Sequence, residues 1–299
     1  MLLLTALFWG GTFVIVKGAV STFDPFAFVS ARFVISFACL LVLWWGEIRR
    51  QWKDHLKSGI ILGILLGAGF LFQTIGLRYT SASSSGLITG MNVVFVAILK
   101  ALWTRKLPGL LTGAGVISAT VGLFVVTWKG APTISWGDGL TLICAIFFAL
   151  HIVATESLAK GRSAAVLTVI QCGVIASLSA LISLGMEGLG AAGLHIKQAI
   201  SSPALMASIL YCGIPAGAAA FLFQTRAQQR VSSTETAICL SAEPVLAAAI
   251  AVGVGADEFA WKIVIAALLV FAGMILSSIE SGYSEERDPD YTAARQLGD

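Results

Sequence analysis

Charged side chains are scarce in this chain of 299 residues. Asp, Glu, Lys and Arg make up 12% of the sequence, whereas soluble domains carry about 25% of them. Hydrophobic residues make up 57%, and the mean hydropathy is +0.89. Because 19 basic and 16 acidic residues are too few to cover a soluble globule of this length, the composition excludes a water-soluble fold and indicates a membrane protein.

Several other features are missing. The five cysteines are odd in number and scattered among apolar segments, so we predict neither a disulfide framework nor a metal site. The net charge of +3 is not concentrated in a basic face or tail, so we expect no nucleic-acid partner. The sequence has no His-Glu-x-x-His, no Gly-x-Ser-x-Gly and no phosphate-binding loop. We therefore expect no enzyme activity, no catalytic residue and no cofactor.

Long apolar segments are what the sequence does contain. A helix needs about 20 apolar residues to cross a hydrocarbon core of about 30 Å. Ten segments of that length follow one another at about 1–20, 26–45, 59–77, 81–102, 109–127, 139–158, 164–186, 204–224, 234–254 and 262–281. The first has no basic leader and no cleavage site after it, so we interpret it as a membrane helix. The predicted fold is an all-α integral membrane protein with ten transmembrane helices and a disordered tail at 282–299.

Basic residues concentrate in the loops on one side of these helices. Those loops carry Arg49, Arg50, Lys53, Lys57, Arg105, Lys106, Lys160, Arg162, Arg226 and Arg230. The opposite side carries only four basic residues beside five acidic ones: Arg78, Lys129, Lys197 and Lys262, with Asp24, Asp138, Glu187, Asp257 and Glu258. Because basic loops stay in the cytoplasm, we predict a multi-pass protein of the cytoplasmic (inner or plasma) membrane with both termini in the cytoplasm.

An internal duplication is the most informative pattern. The string Phe-Leu-Phe-Gln-Thr occurs at 70–74 and again at 221–225, an offset of 151 (221 minus 70). At the same offset Asn92 pairs with Glu243 and Gly122 with Gly273. The register predicts two five-helix repeats, at 1–130 and 131–281. Since five is odd, the second repeat is inverted, an arrangement typical of transporters with a central cavity.

Polar side chains at membrane depth must face protein or water, since a charge near the bilayer centre costs about 3 kcal/mol. One stripe within about 100° on predicted helix four consists of Ser81, Ser85, Thr89, Asn92 and Lys100. A counterpart on helix nine consists of Glu235, Cys239 and Glu243. We predict that the two stripes line a polar cavity; hydrogen bonding between helices is the alternative.

Glu243 precedes Pro244, which removes a backbone donor and kinks a helix. Freed carbonyls beside a buried carboxylate can hold a cation, an amine or a proton, so Glu235, Glu243 and Pro244 are candidates for coupling and kinking. A structural kink with a neutral Glu243 is the other interpretation. The remaining candidate substrate-binding residues are Trp9, Thr12, Gln73, His151, Tyr211 and Gln224, for each of which packing or helix capping is the alternative. Lys17 and Arg32 are interpreted as structural or steering charges near the surface.

Several motifs resemble the drug/metabolite transporter superfamily of the EamA type, with its aromatic amino acid exporters as a candidate branch. They are Trp9-Gly10-Gly11-Thr12-Phe13, Lys17, Arg32, Ser232-Ser233-Thr234, Glu243-Pro244-Val245 and Asp257-Glu258. The resemblance implies ten helices in two inverted repeats around a cavity, and secondary transport of small metabolites, often export of amino acids or drugs. The first repeat departs from the pattern, because Asn92-Val93 replaces the usual proline and Arg105-Lys106 replaces the usual loop acid.

We therefore expect alternating-access export of amino acids, aromatic or otherwise apolar, or of related amphipathic compounds. A cationic-drug exporter of the same fold and a passive channel are the alternatives. Few fixed charges at depth beyond Lys100 argue against polyanions. The expected partners are a small-molecule substrate, the lipid bilayer and protons as coupling ion, in a monomer or weak dimer.

Overall fold

The fold is described by a computed structural model over residues 1–80, 82–127, 135–253 and 260–286. Within these ranges all regular structure is helical, and no strand occurs. The helices are α1 (Leu2–Gly10), α2 (Thr12–Val20), α3 (Pro25–Leu43), α4 (Trp45–Tyr79), α5 (Ala82–Gly90), α6 (Asn92–Thr104), α7 (Leu110–Thr127), α8 (Trp136–Leu158), α9 (Ala164–Glu187), α10 (Leu189–Ser201), α11 (Pro203–Gly213), a π-helical segment (Ile214–Ala219), α12 (Ala220–Ala227), α13 (Ser233–Leu240), α14 (Glu243–Gly253) and α15 (Trp261–Glu286).

The all-helical membrane fold predicted from hydropathy is confirmed. Six helical segments in the described ranges are long and apolar enough to cross a membrane: Leu2–Val20, Pro25–Leu43, Trp45–Tyr79, Trp136–Leu158, Ala164–Glu187 and Pro203–Ala227. Shorter apolar helices cover Ile88–Thr104, Leu110–Val125 and Trp261–Ser277. Large apolar side chains such as Val42, Leu181 and Leu268 are exposed on the outside. A surface of that kind suits contact with lipid tails rather than water.

Two helices extend into regions predicted as connections. α4 begins at Trp45, ahead of the apolar segment predicted from residue 59, and α10 fills the connection between α9 and α11. Both stretches mix polar and apolar residues, so they form helix without being apolar enough to cross a bilayer. The tail predicted as disordered from residue 282 is helical as far as Glu286, and 287–299 lie outside the described residues.

Helix starts follow from short polar side chains that accept backbone hydrogen bonds. Asp24 caps α3 with Pro25 in the first turn, and Ser202 caps α11 in the same way with Pro203. Ser135 with Asp138 opens α8 through a reciprocal capping box. These caps fix where the spans begin, and so the depth of every side chain along them.

Two apolar segments break at equivalent positions. α5 and α6 meet at Met91, while α13 and α14 are separated by Ser241 and Ala242; Met91 and Ala242 differ by the repeat offset (242 minus 91 = 151). Pro244 accounts for the second break. The first repeat breaks without a proline, next to Gly90, a poor helix former at an interior position. The missing proline therefore does not remove the first break.

Glycines set the closest contacts between spans. Along α7 and α15, a Cβ on Gly115 would lie 2.7 Å from the Gly273 carbonyl oxygen, and one on Gly122 would lie 3.0 Å from the Ala266 carbonyl oxygen. Between them, Ser118 Oγ donates to the Leu269 carbonyl at 2.7 Å. Residue numbers rise along one helix as they fall along the other, so α7 and α15 pack antiparallel. The close approach lets backbone dispersion and weak Cα hydrogen bonds hold the pair in lipid.

Candidate functional site

A central cavity lies where the broken helices meet. Among the residues that line it are eight of the predicted substrate-binding residues: Trp9, Thr12, Gln73, Thr89, Asn92, His151, Gln224 and Glu243. The free space for water-sized molecules is about 50 Å³. That volume holds a few waters, so neighbouring side chains must move apart before a larger solute can enter.

One part of the wall is polar. Gln73 Nε2 donates to Thr89 Oγ1 at 3.2 Å, and His151 Nε2 lies 2.8 Å from Gln171 Oε1. Gln224 Oε1 is buried without a hydrogen-bond partner in the described residues. The wall therefore offers both donors and acceptors, and an unpaired acceptor in a buried site favours a polar ligand.

The other part of the wall is aromatic. Phe70 and Phe221, which are equivalent under the repeat, have ring centroids 5.7 Å apart. Trp9 lies 5.1 Å from Phe221 and Phe148 lies 5.1 Å from Phe70, again between centroids. These rings form a continuous apolar surface of the kind that accepts a flat or branched hydrocarbon group.

A π-helical segment positions the tryptophan. Trp9 Nε1 donates to the carbonyl oxygen of Ala216 at 2.8 Å, inside the segment Ile214–Ala219 that contains Pro215. A π-helical turn shifts the backbone hydrogen bonds by one residue and exposes carbonyls to other donors. The indole is thus held with its ring toward the cavity.

Arg32 lies in the cavity rather than near the surface, so its interpretation as a surface charge is wrong. Its side chain is 4% exposed and lines the central space. Arg32 stands seven residues into α3, about 10 Å along the axis at 1.5 Å per residue. That depth, counted from Pro25, places Arg32 inside the membrane, but it does not show whether the side chain faces the cavity or the lipid.

Glu156 is a further charged residue that sequence reasoning missed. Lys100 Nζ donates to Glu156 Oε1 at 2.6 Å, and Glu156 Oε2 accepts from the Ser233 backbone at 2.9 Å. These contacts join α6, α8 and α13 beside an open depression of about 610 Å³. We call this region, which also holds Lys160 and Arg230, the Lys100 end.

Contacts at the opposite end, the Lys17 end, join α2, α4 and α8. Lys17 Nζ donates to the carbonyl oxygens of Leu77 and Thr80 at 2.9 and 2.6 Å. Thr80 Oγ1 in turn donates to Asp138 Oδ1 at 2.5 Å. Lys17 therefore neutralises the negative C-terminal end of α4, and helix ends meet there without a gap between their backbones.

Three predicted site residues lie elsewhere. Ser85 is buried in α5, about one turn before the cavity residue Thr89, and is not part of the cavity wall. Tyr211 donates its hydroxyl to the Phe8 carbonyl at 2.8 Å. Glu235 accepts from the Ser232 backbone at 2.9 Å as the third residue of a capping box, at the Lys100 end. Three further candidates, Ser81, Asp257 and Glu258, lie outside the described residues.

Ionic groups in the cavity are not paired with one another through protein contacts. The ion pairs found in the described residues are Lys100 with Glu156 and Glu187 with His195, so neither includes Arg32 or Glu243. No group of three His, Cys, Asp or Glu residues suitable for a metal ion occurs in the described part of the chain. The titratable groups that line the cavity include the Arg32 guanidinium, the Glu243 carboxyl group and the His151 imidazole.

A helical membrane protein with a central amphipathic cavity belongs to the general class of membrane transporters, and the comparisons with known proteins specify the family. The model of the EamA-like transporter family matches residues 1–128 and again 135–279. The chain belongs to the EamA-like transporter family. The family resemblance noted from the sequence motifs is thereby confirmed at the level of the EamA-like family, and the aromatic amino acid exporter branch stays a prediction.

Relatives support the same assignment. An uncharacterized transporter of Archaeoglobus fulgidus is 31% identical over 278 residues, covering 93% of this chain and 84% of the relative. The uncharacterized transporter YyaM of Bacillus subtilis is 26% identical over 292 residues, covering 93% and 92%. A crystal structure of a protein with 19% identity superposes with a TM-score of 0.75, covering 95% of this chain and 97% of that one. This last likeness shows the fold.

Proposed function

We propose that this membrane transporter moves a small amphipathic metabolite, an amino acid with an aromatic or otherwise apolar side chain, by alternating access. One observation carries the proposal: a single cavity presents an aromatic wall from Trp9, Phe70 and Phe221 together with hydrogen-bonding and charged groups. A solute with an apolar end and a polar, charged end satisfies both parts of that wall.

The packing of α7 and α15 supports two inverted repeats. Gly115 and Ala266 are equivalent at the 151-residue offset, as are Gly122 and Gly273 (266 minus 115 and 273 minus 122). The repeat therefore maps the contact of Gly115 with Gly273 onto the contact of Ala266 with Gly122. A two-fold axis relating the halves requires this correspondence. Because the helices run antiparallel, this axis lies across them, in the plane of the bilayer. We infer that the halves rock about it.

The two ends of the molecule differ in a way that suits alternating access. Backbone and side-chain contacts join the helices at the Lys17 end, whereas an open depression of about 610 Å³ lies at the Lys100 end. With basic loops in the cytoplasm, we infer that the depression at the Lys100 end faces the cytoplasm. Both termini then lie in the cytoplasm, and a substrate for export enters there.

Counterflow in proteoliposomes tests the proposal. Vesicles loaded with one unlabelled amino acid and placed in its labelled form should accumulate label transiently and saturably. A panel that includes phenylalanine, leucine and a charged amino acid identifies the preferred side chain. Linear flux without saturation would support a passive channel instead, and a complete lack of counterflow across the panel would reject amino-acid transport.

A second candidate, export of cationic drugs, is favoured by the Glu243 carboxylate beside aromatic rings in the same cavity. Aromatic cations without a carboxylate distinguish the two. Saturable competition by such a cation, with none by amino acids, would favour drug export.

A further inference from the structure

Arg32 is a buried cation whose hydrogen-bonding capacity is only partly used in the described residues, where the Cys212 side chain is one partner. Atoms Nε and Nη2 are fully buried and have no hydrogen-bond partner in the described residues. A guanidinium carries five N–H donors, and leaving charged donors unpaired at membrane depth is costly. Nε and Nη2 therefore need an acceptor that the described residues do not supply.

The backbone around Arg32 holds the residue rigidly. Ser36 Oγ donates to the carbonyl oxygens of Arg32 at 3.0 Å and Gly213 at 2.6 Å. A Cβ on Gly213 would lie 2.8 Å from the Arg32 carbonyl oxygen, so α3 and α11 pack with their backbones nearly in contact. A residue fixed in this way presents its side chain in a defined direction, which lowers the entropic cost of binding a ligand.

Aromatic rings stabilise the charge without satisfying its donors. The guanidinium carbon lies 4.3 Å from the Phe70 ring centroid and 4.9 Å from that of Phe33. Cation–π attraction offsets part of the desolvation cost, but ring faces are weak acceptors compared with an oxygen anion. The same Phe70 ring belongs to the aromatic wall, so the unpaired N–H groups adjoin the surface proposed for the apolar part of the substrate.

We propose that Arg32 binds the carboxylate of the transported molecule through its planar fork of N–H donors, and that a carboxylate is a required feature of the substrate. Arginine matches a carboxylate with two parallel hydrogen bonds. Glu243 and Asn92 line the same cavity and accept the ammonium group of a zwitterion. This inference rests on the proposed amino-acid transport and adds the group that selects the substrate.

Ligand variants on the unaltered protein provide the first test. We compare phenylalanine with phenylalanine amide, and 3-phenylpropionate with 3-phenylpropanamide, by calorimetry on detergent-solubilised protein and by competition in counterflow. A hydrogen-bonded charge pair corresponds to roughly ten- to hundredfold in affinity. Each acid should therefore bind at least about tenfold more tightly than its amide. Equal binding of acid and amide would overturn the role of Arg32, even if amino-acid counterflow is observed.

Arg32→Gln and Arg32→Lys provide the second test. The glutamine variant should lose the acid-over-amide preference, and the lysine variant should keep part of it, because lysine retains the charge but not the fork. Arg226→Gln is the matched control, since Arg226 also lies over an aromatic ring, Trp44 at 5.7 Å, yet is not part of the cavity wall. It should keep the preference unchanged.

The outcomes separate this inference from the proposed function. Tight binding of 3-phenylpropionate without any amino-acid counterflow would retain the carboxylate site and reject amino-acid transport. Counterflow of amino acids that Arg32→Gln leaves unchanged, in protein of normal thermal stability, would retain transport and reject the site. If no carboxylate binds the unaltered protein at millimolar concentration, the inference is wrong whatever the flux.

Discussion

Glu243 and Asn92 occupy the same place in the two repeats yet bring different chemistry to the cavity. Both adjoin a break in their helix, and both line the central space. An amide cannot release a proton at any pH relevant to the protein, whereas a carboxylate can. Of these two equivalent residues, only Glu243 can bind and release a proton, whereas the protonation of Asn92 does not change.

We expect Glu243→Gln to abolish the coupling of transport to a proton gradient, because the amide keeps the size of the side chain but cannot exchange a proton. Uptake driven by an imposed pH difference across proteoliposomes should fall to the level seen without a gradient. Counterflow at equal pH on both sides should continue but saturate at a higher substrate concentration, since Asn92 and Arg32 remain while the carboxylate that accepts the ammonium group is lost. The measurement is initial uptake of labelled substrate with and without the gradient.

Glu47→Gln is the control for this change, since Glu47 lies in the first turn of α4, outside the cavity wall. It should respond to the gradient as the unaltered protein does. A Glu243→Gln transporter that still concentrates substrate in response to the pH difference would show that the proton binds elsewhere or is not the coupling ion.

At the residue scale, Arg32 shows which features of the cavity can be predicted from the sequence and which cannot. Spacing along a helix identifies side chains on one face, and eight predicted residues do line the cavity. Spacing does not reveal which face of α3 meets Phe70, or that Arg32 forms no ion pair with a carboxylate in the described part of the chain. The partner of a charge is decided by packing between distant segments, so only the structure shows that Arg32 lines the cavity together with Phe33, Phe70, Phe148 and Phe221.

At the scale of elements, glycine contacts between α4 and α9 determine how closely these spans pack. A Cβ on Gly63 would lie 2.7 Å from Cβ of Val174 and 3.1 Å from Cα of Gln171. The same α9 supplies Gln171 to His151 in the cavity. The packing of α4 against α9 at Gly63 therefore helps to position His151, through its hydrogen bond with Gln171.

Gly63→Ala should destabilise the protein, since the added methyl group forces α4 and α9 apart; overpacking of this kind costs about 1–3 kcal/mol. Thermal unfolding in detergent, followed by a thiol-reactive or intrinsic fluorescence probe, measures the shift. Gly113→Ala in α7 is the matched control, because no heavy atom lies within 4 Å of its added Cβ. That variant should be neutral or slightly more stable, given the higher helix propensity of alanine. Equal unfolding temperatures for the two variants would contradict the packing argument.

Hydropathy predicts the elements better than it predicts their interruptions. The ten apolar segments all fall on helices where the structure describes them, because burial in lipid imposes the same length and composition on each. No proline lies next to Met91, so the break there is not predicted from the sequence. The π-helical segment at Ile214–Ala219 is in contact with α1 and α3. Local sequence leaves such interruptions undetermined because they are stabilised by neighbouring helices.

At the scale of the whole molecule, transport by rocking requires the Lys17 end to separate. The described hydrogen bonds there include those of Lys17 with two carbonyl oxygens, of Thr80 with Asp138, and of Arg78 with the carbonyl oxygens of Val20 and Phe23. Charge-assisted hydrogen bonds of this kind contribute about 1.5–3 kcal/mol each, an amount that a bound substrate can offset. Rocking of the two halves therefore requires these hydrogen bonds to break and re-form in each transport cycle.

Cross-linking the Lys17 end tests this requirement. In a variant whose five cysteines, all free where the structure describes them, are replaced by alanine, Thr80→Cys and Asp138→Cys place two thiols at a contact between α4 and α8. Joining them with a short, reducible thiol cross-linker should stop counterflow, because substrate can no longer reach the far side. Binding from the Lys100 end should persist, since the open depression there is unaffected.

Reduction of the cross-link should restore counterflow, and Thr80→Cys alone should be insensitive to the reagent. Equilibrium binding of labelled substrate, measured on the same cross-linked sample, separates a locked transporter from an unfolded one. Continued counterflow after complete cross-linking would mean that substrate crosses without opening this end. In that case the two repeats do not rock about the α7 and α15 contact, and the helices around the cavity must open by a different movement.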